Sequence, residues 1–286
     1  MPSLIDIRRR VRSVRNTQQI TKAMKMISAA RLRRAQERAL AARPYGTMLR
    51  QMLANVAEGA GQSPDAGSHP LLAVRPEKNV LVVVVTADRG LAGGFSTNLL
   101  KLAQGFVNAN RDKELTFELI GRKGRDYFRK RGAHISGEHL DMMRLLSVEY
   151  ADRIAEGIIE RFSSGEVDSV YLFVNEFKSV MAPTLSESRL LPIEVPKSAA
   201  PADYIYEQKP AELLGTLLPK YVKGQIYRAL LESVAAEHAA RMTAMDAASS
   251  NASDVIDKLT LFMNRVRQAT ITREIIEIVS GAAALE

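Results

Sequence analysis

The sequence predicts an α/β protein with long helices: an antiparallel coiled coil of N- and C-terminal helices plus an inserted Rossmann-like α/β domain. Three observations predict it. Residues 3–58 and 210–284 hold almost no internal proline or glycine and carry apolar side chains at three-four spacing. Between them, strand-like and helix-like runs alternate, the pattern of an open, partly parallel sheet covered by helices. Finally, a helix of the C-terminal extent would run roughly 100 Å at about 1.5 Å per residue, which calls for a partner of similar length. The N-terminal stretch is the one candidate in the chain.

The expected organisation is an N-terminal coiled-coil helix over residues 1–58, a linker over 59–76, a central α/β domain over 77–209 and a C-terminal coiled-coil helix over 210–286. In the first helix Leu4, Ile7, Val11 and Val14 form a seam, which then shifts to Ile20, Met24, Ile27 and Ala30. Such a shift predicts a stutter, and Pro44 and Gly46 are the positions for a kink. The pattern resumes at Met48, Leu49, Met52, Leu53 and Val56. Six glycines and prolines, from Gly59 to Pro76, punctuate the linker.

In the centre, residues 79–86 read as a buried strand because Val80, Leu81 and four successive valines are apolar toward both faces. Residues 115–120 and 169–175 read as further strands and 185–193 as an edge or hairpin strand. Helical spacing marks 97–110, 123–131 and 148–163. Pro192, Pro196 and Pro201 mark a second connector. The C-terminal seam is read as Met245, Ala248, Ala252, Val255, Leu259, Phe262, Val266 and Ala269, whose alanines allow close backbone approach. The globular domain is then an insertion at one end of a rod.

Composition narrows the function classes. With no cysteine among 286 residues, disulfides, thiol catalysis and thiolate metal sites are excluded. Apolar residues make up 46%, as in a globular chain. The apolar run at 80–85 is too short to span a bilayer. The net charge of +8 is concentrated: residues 1–38 contain eleven Lys/Arg and two acids, Asp6 and Glu37. That segment must face something acidic or stay solvated. It has the Arg-rich composition of a transit peptide, but its helical pattern runs past residue 40 with no cleavage-like break, so it reads as the first helix of the mature protein.

Motifs for chemistry are weak. Asp88-Arg89-Gly90-Leu91-Ala92-Gly93-Gly94 follows a strand and precedes a helix, but its spacing is neither G-x-G-x-x-G nor a G-K-[ST] loop. Gly121-Arg122-Lys123-Gly124 fails likewise. The first reads instead as a tight strand-to-helix turn needing positive φ, and no nucleotide site is expected. His69, His134, His139 and His238 are scattered, without metal-ligand spacing. No G-x-S-x-G occurs. No catalytic residue, metal ligand or cofactor is therefore expected. The basic helix could bind nucleic acid through phosphates, but it has no aromatic residue before Tyr45 to stack on bases.

Three separated runs carry a family resemblance. Ile271-Thr272-Arg273-Glu274-Ile275-Ile276-Glu277-Ile278-Val279-Ser280-Gly281-Ala282 resembles the C-terminal signature of ATP synthase gamma subunits. The run from Ile7 through Asn16-Thr17-Gln18-Gln19-Ile20-Thr21-Lys22-Ala23-Met24-Lys25-Met26 is similar to the family's N-terminal motif. Thr86-Ala87-Asp88-Arg89-Gly90-Leu91-Ala92-Gly93-Gly94-Phe95 matches in the middle. The resemblance implies a shaft standing inside a ring of three alpha and three beta subunits, a globular domain gripping the ring of c subunits, and no bond chemistry in this chain. Proton flow would turn the c ring, and the asymmetric shaft would drive each beta site through successive states, with the seam stutter and bend supplying asymmetry.

By the same resemblance, Lys22, Met24 and Lys25 meet an acidic lever segment of beta. Arg267 and Gln268 hydrogen-bond a beta loop in one rotor orientation. Thr272, Glu274 and Glu277 are coupling positions beside the shaft, and Tyr204 and Glu207 meet the c ring or the epsilon subunit. The alanine-rich tip turns in an apolar sleeve. The cysteine-bearing loop of chloroplast versions is lacking, which excludes thiol regulation. A bacterial chain at the cytoplasmic face of the inner membrane is implied, the matrix side of the mitochondrial inner membrane being the alternative. Two other classes stand beside this reading: a basic coiled-coil nucleic-acid binder, and a nucleotide-using α/β enzyme with helical arms.

Overall fold

The computed structural model describes residues 3–60, 69–141, 146–179, 184–195 and 208–283. They divide into two units, Ala29–Arg241 and a second made of Met1–Ser28 with Met242–Glu286. Helices α1 (Leu4–Ala60) and α5 (Pro210–Ala283) each contribute to both.

The first unit is organised by β1 (Asn79–Val85), whose Val80 to Val85 are all buried. Strands β2 (Glu114–Ile120), β3 (His134–His139), β4 (Ser169–Glu176) and β5 (Thr184–Leu191) complete a sheet in the order β3-β2-β1-β4-β5. All neighbours are parallel except β5, which runs antiparallel at the edge beside β4. Since side chains alternate across a strand, the apolar run of β1 serves two cores. Leu81, Val83 and Val85 pack with α4 (Val148–Ser163), with Leu53 and Val56 of α1 and with Leu218, Val222 and Ile226 of α5. Val80, Val82 and Val84 face Leu99 and Ala103 of α2 (Phe95–Ala109) and Phe128 of α3 (Arg122–Arg129).

Three sequence expectations change here. Part of the expected linker is core: the 3₁₀ turn Pro70–Leu72 buries Leu71, whose carbonyl accepts from the Ile193 amide at 3.0 Å. Strand β3 was not expected, because its sequence is polar. It pairs with β2 so that Gly137 lies against Glu118, where a Cβ would overlap the Glu118 carboxylate. Helix α1 runs without a break through Pro44 and Gly46, the positions expected for a kink.

In the second unit, residues 3–28 of α1 pair with the C-terminal part of α5. The pairing is antiparallel: Thr21 meets Ser249 while Lys25 meets Asp246. The stutter is absent. Covered or half-covered positions on α1 follow one three-four count through Leu4, Ile7, Val11, Val14, Gln18, Thr21, Lys25 and Ser28, and the count continues at Leu32, Ala35 and Ala39. The expected shift to Ile20 and Ile27 is wrong by one residue. Those isoleucines are 59% and 53% exposed, whereas Thr21 and Ser28 are 8% and 2% exposed. Hydroxyls are tolerated in the seam because they find partners: Thr21 Oγ1 donates to the Gln18 carbonyl or shares a proton with Ser249 Oγ at 2.7 Å. On α5 the seam is Met245, Ser249, Ala252, Ile256, Leu259, Met263, Val266 and Thr270. Four expected positions hold, and Ala248, Val255, Phe262 and Ala269 each yield to the next residue.

Candidate partner-binding surface

The seam of the helix pair is narrow, so most of each helix faces outward. Arg8, Arg9, Arg10, Arg12, Arg15 and Lys22 are all exposed on α1, among them Ile5, Ile20, Met26 and Ile27. This surface combines dense positive charge with large apolar groups left in water. Its chemistry suits an acidic partner that also brings apolar contacts.

The expected contact residues fall into two patches. In the first, Lys22 is exposed and Met24 and Lys25 are half-covered. Lys25 Nζ donates to Asp246 Oδ1 at 2.5 Å, with 43% of its side chain still open. Its charge is shared inside the chain before any partner arrives. Nothing near Lys25 in sequence signals Asp246, 221 residues away.

The second patch begins where the seam ends. Arg267 and Gln268 are exposed, and the Thr272 hydroxyl donates to the Gln268 carbonyl at 2.9 Å, leaving its oxygen free to accept. From residue 271 to 281 every residue is exposed, including Glu274, Glu277, Ile271, Ile275, Ile276, Ile278 and Val279. These isoleucines lie inside the matched C-terminal run, yet the resemblance gives none of them a contact. Counting from Asp246 to Arg267 at about 1.5 Å per residue puts roughly 30 Å of helix between the patches. The structure therefore groups Lys22, Met24 and Lys25 together, and Arg267, Gln268, Thr272, Glu274 and Glu277 together, without joining the two groups. Tyr204 and Glu207 lie outside the described residues.

In the sheet unit, both glycine-rich segments are explained by packing. The turn after β1 places Leu91 and Gly93 at φ 66° and 54°, the positive values expected of it, although one falls on a leucine. Asp88 Oδ1 accepts from the Arg122 amide at 3.0 Å, so it anchors the start of α3. Gly121 adopts φ 94° against Thr86, whose carbonyl a Cβ would strike, and the Gly124 amide donates to Thr86 Oγ1 at 2.8 Å. Strand order reverses between β1 and β4, the usual place for a ligand crevice in such sheets. Beyond these strand ends Ala87, Ala92 and Phe95 pack against Ala236 of α5, with Ala240 beside them.

Two buried ionic groups also sit in this unit. Glu118 accepts from His139 Nε2 at 2.5 Å and from Arg161 Nη1 at 2.7 Å. Burial pushes its carboxyl upward, but the His139 hydrogen bond and the charges of His139 and Arg161 outweigh that and hold it below the ordinary range. On α5, burial raises the Glu237 carboxyl against the pull of Arg241. Burial, then the charges of Arg241 and Arg31, lowers His238 to about 4. His238 is thus neutral at physiological pH. Among the described residues no group of three or more His, Cys, Asp or Glu could hold a metal ion, and no helix is long and apolar enough to cross a membrane.

Comparison with known proteins places this architecture. The family model described as ATP synthase matches residues 3–285. The chain is 61% identical over 286 residues to a protein of Solibacter usitatus called ATP synthase gamma chain, covering both chains completely. It is 50% identical over 289 residues to the ATP synthase gamma chain of Pelotomaculum thermopropionicum, again covering both chains completely. A chain in the rotor of the Euglena gracilis mitochondrial ATP synthase is similar in fold, with a TM-score of 0.65 at 17% identity over 94% of this chain and 98% of that one.

Proposed function

We propose that this chain, which belongs to the ATP synthase gamma-chain family, is the central rotor shaft that couples c-ring rotation to ATP synthesis and hydrolysis at the beta subunits. The observation that carries this reading is the bare end of α5. Residues 271–281 expose five large aliphatic side chains on a helix that has run beyond its seam. Apolar surface of that kind gains free energy by entering a protein sleeve. A ring of alpha and beta subunits supplies one.

The mechanism needs no reacting group in this chain. Beta subunits of one sequence can differ only through an asymmetric neighbour. The shaft biases each beta conformation by the difference in its contact energy with them. Lys22, Met24 and Lys25 would touch the acidic lever of beta, and Arg267 and Gln268 would bond a beta loop in one orientation. Thr272, Glu274 and Glu277 would line the coupling surface between orientations. Because the seam has no stutter, asymmetry comes from unlike side chains on the two helices: basic on α1, mixed on α5. Tyr204 and Glu207 remain the residues assigned to the c ring or epsilon. The complex would sit at the cytoplasmic face of a bacterial inner membrane, with this chain peripheral and held through the c ring.

Co-expression of the full chain with alpha and beta subunits tests assembly; a stoichiometric complex is expected, and a shaft recovered alone under gentle conditions would sink the reading. Coupling is tested by Met24→Lys. The added cation should lower protons pumped per ATP hydrolysed while the complex still assembles. An unchanged ratio removes this patch from coupling.

A further inference from the structure

We propose that a basic cleft within the sheet-bearing unit is a binding site for a compact phosphate-class polyanion. The cleft encloses about 320 Å³ and draws its charged lining from three elements: Arg43 and Arg50 from α1, Glu176 and Lys178 from the end of β4, and Arg228 and Glu232 from α5. Its volume lies at the lower end of ordinary small-ligand sites.

The charges do not cancel. Glu232 is buried and accepts from Arg228 Nε at 3.1 Å, so that pair satisfies itself. Arg43, Arg50 and Lys178 then face Glu176, an excess of two positive charges. All three cations are exposed, and among the described residues no ion pair holds any of them. Like charges gathered in a concavity raise one another's field and concentrate counter-ions there.

The geometry selects the ligand. Arg43 and Arg50 are seven residues apart on one flank of α1, about 10 Å along the axis. Between them Gly46 leaves the helix surface bare, since a Cβ there would meet nothing within 4 Å. The Thr47 hydroxyl donates to the Arg43 carbonyl at 3.1 Å, so the guanidinium forks are the donors left to a ligand. Such forks match phosphoryl oxygens two at a time. Two of them at this spacing suit an anion with linked phosphoryl groups. Convergence from three elements into one hollow favours that compact anion over an extended acidic peptide, which would need a line of cations.

The test is calorimetric titration of the full chain with inorganic pyrophosphate at low ionic strength. One-site saturation is expected, weakened at least about tenfold by Arg43→Ala with Arg50→Ala, the loss of two charge-assisted forks. Arg34→Ala with Arg38→Ala removes the same charge elsewhere on α1 and should leave it unchanged. Lys178→Ala, outside any helix, gives a second variant should the first melt early. Displacement of pyrophosphate by ATP assigns a soluble source. Capture on vesicles containing diacylglycerol pyrophosphate that Arg43→Ala with Arg50→Ala abolishes assigns a lipid headgroup. Absence of saturable pyrophosphate binding and of variant-sensitive vesicle capture overturns the proposal, as does equal weakening by the two charge-matched double variants.

Discussion

The two units use apolar side chains in opposite ways. Around the sheet, the run from Val80 to Val85 disappears into two cores, and Phe128, Phe162 and Phe173 are wholly buried. In the helix pair, Thr21, Ser28 and Ser249 take covered seam positions while Ile20, Met26, Ile27 and Leu261 stay in water. The contrast teaches that burial in the sheet unit maximises stability, while the helix pair keeps hydrophobic surface for other chains and holds itself with a thin, partly polar seam.

The largest expected effect tests the sheet side. Phe173→Ala removes a ring packed edge-on against Phe106 at 5.3 Å. It should destabilise that unit by about 3–5 kcal/mol, read from urea denaturation. A loss below about 1 kcal/mol, as for a surface site, would break the contrast.

Glu118→Gln comes next and sharpens it through pH. The folded carboxyl lies below its unfolded value, so its stabilisation is present above the unfolded pKa and is lost as pH falls through the folded one. The parent should therefore lose thermal stability on acidification below about pH 4.3, the ordinary glutamate pKa, more steeply than Glu118→Gln does. Parallel melting curves across that range would remove Glu118 from the account. At neutral pH the substitution leaves Arg161 and His139 with a neutral partner, and a loss of roughly 2–3 kcal/mol is expected.

Smaller effects belong to the seam. Thr21→Val alone leaves Ser249 without its cross-helix hydroxyl and should cost about 1 kcal/mol. Adding Ser249→Ala should return most of it, since two apolar groups replace a bonded pair. Strict additivity in thermal melts would show that the 2.7 Å contact carries no coupling. Least of all, Lys25→Ala removes an exposed ion pair worth roughly 0.2–1 kcal/mol, which salt should screen. A larger, salt-insensitive loss would mean that this surface stabilises the helix pair after all.

Legibility followed how local each signal was. The long helices were visible from missing breakers, and β1 from a run apolar on both faces. Strand β3 was hidden because His134, Ser136, Glu138 and His139 are polar. Its place depends on Glu118, His139 and Arg161 meeting across three elements. The turn at residues 88–94 needs positive φ, as its glycines predict, though nothing in the sequence points to Leu91 as one of the bearers. At the candidate surface, cations and the C-terminal motif were visible, while the pairing of Lys25 with Asp246 was not.

By itself, the sequence determined where α1 and α5 run, which strand lies at the centre, and that positive charge gathers at the start of the chain. Those properties follow from the period of apolar residues and the spacing of breakers, which neighbouring residues enforce on the backbone. Only the tertiary structure decided which of two adjacent residues enters the seam: Thr21 rather than Ile20, Ser28 rather than Ile27, Ser249 rather than Ala248. One residue turns a helix by about 100°, and apolar preference alone points to the wrong side. For Thr21 and Ser249 the outcome rests on a hydroxyl finding its partner on the opposite helix, more than two hundred residues along the chain.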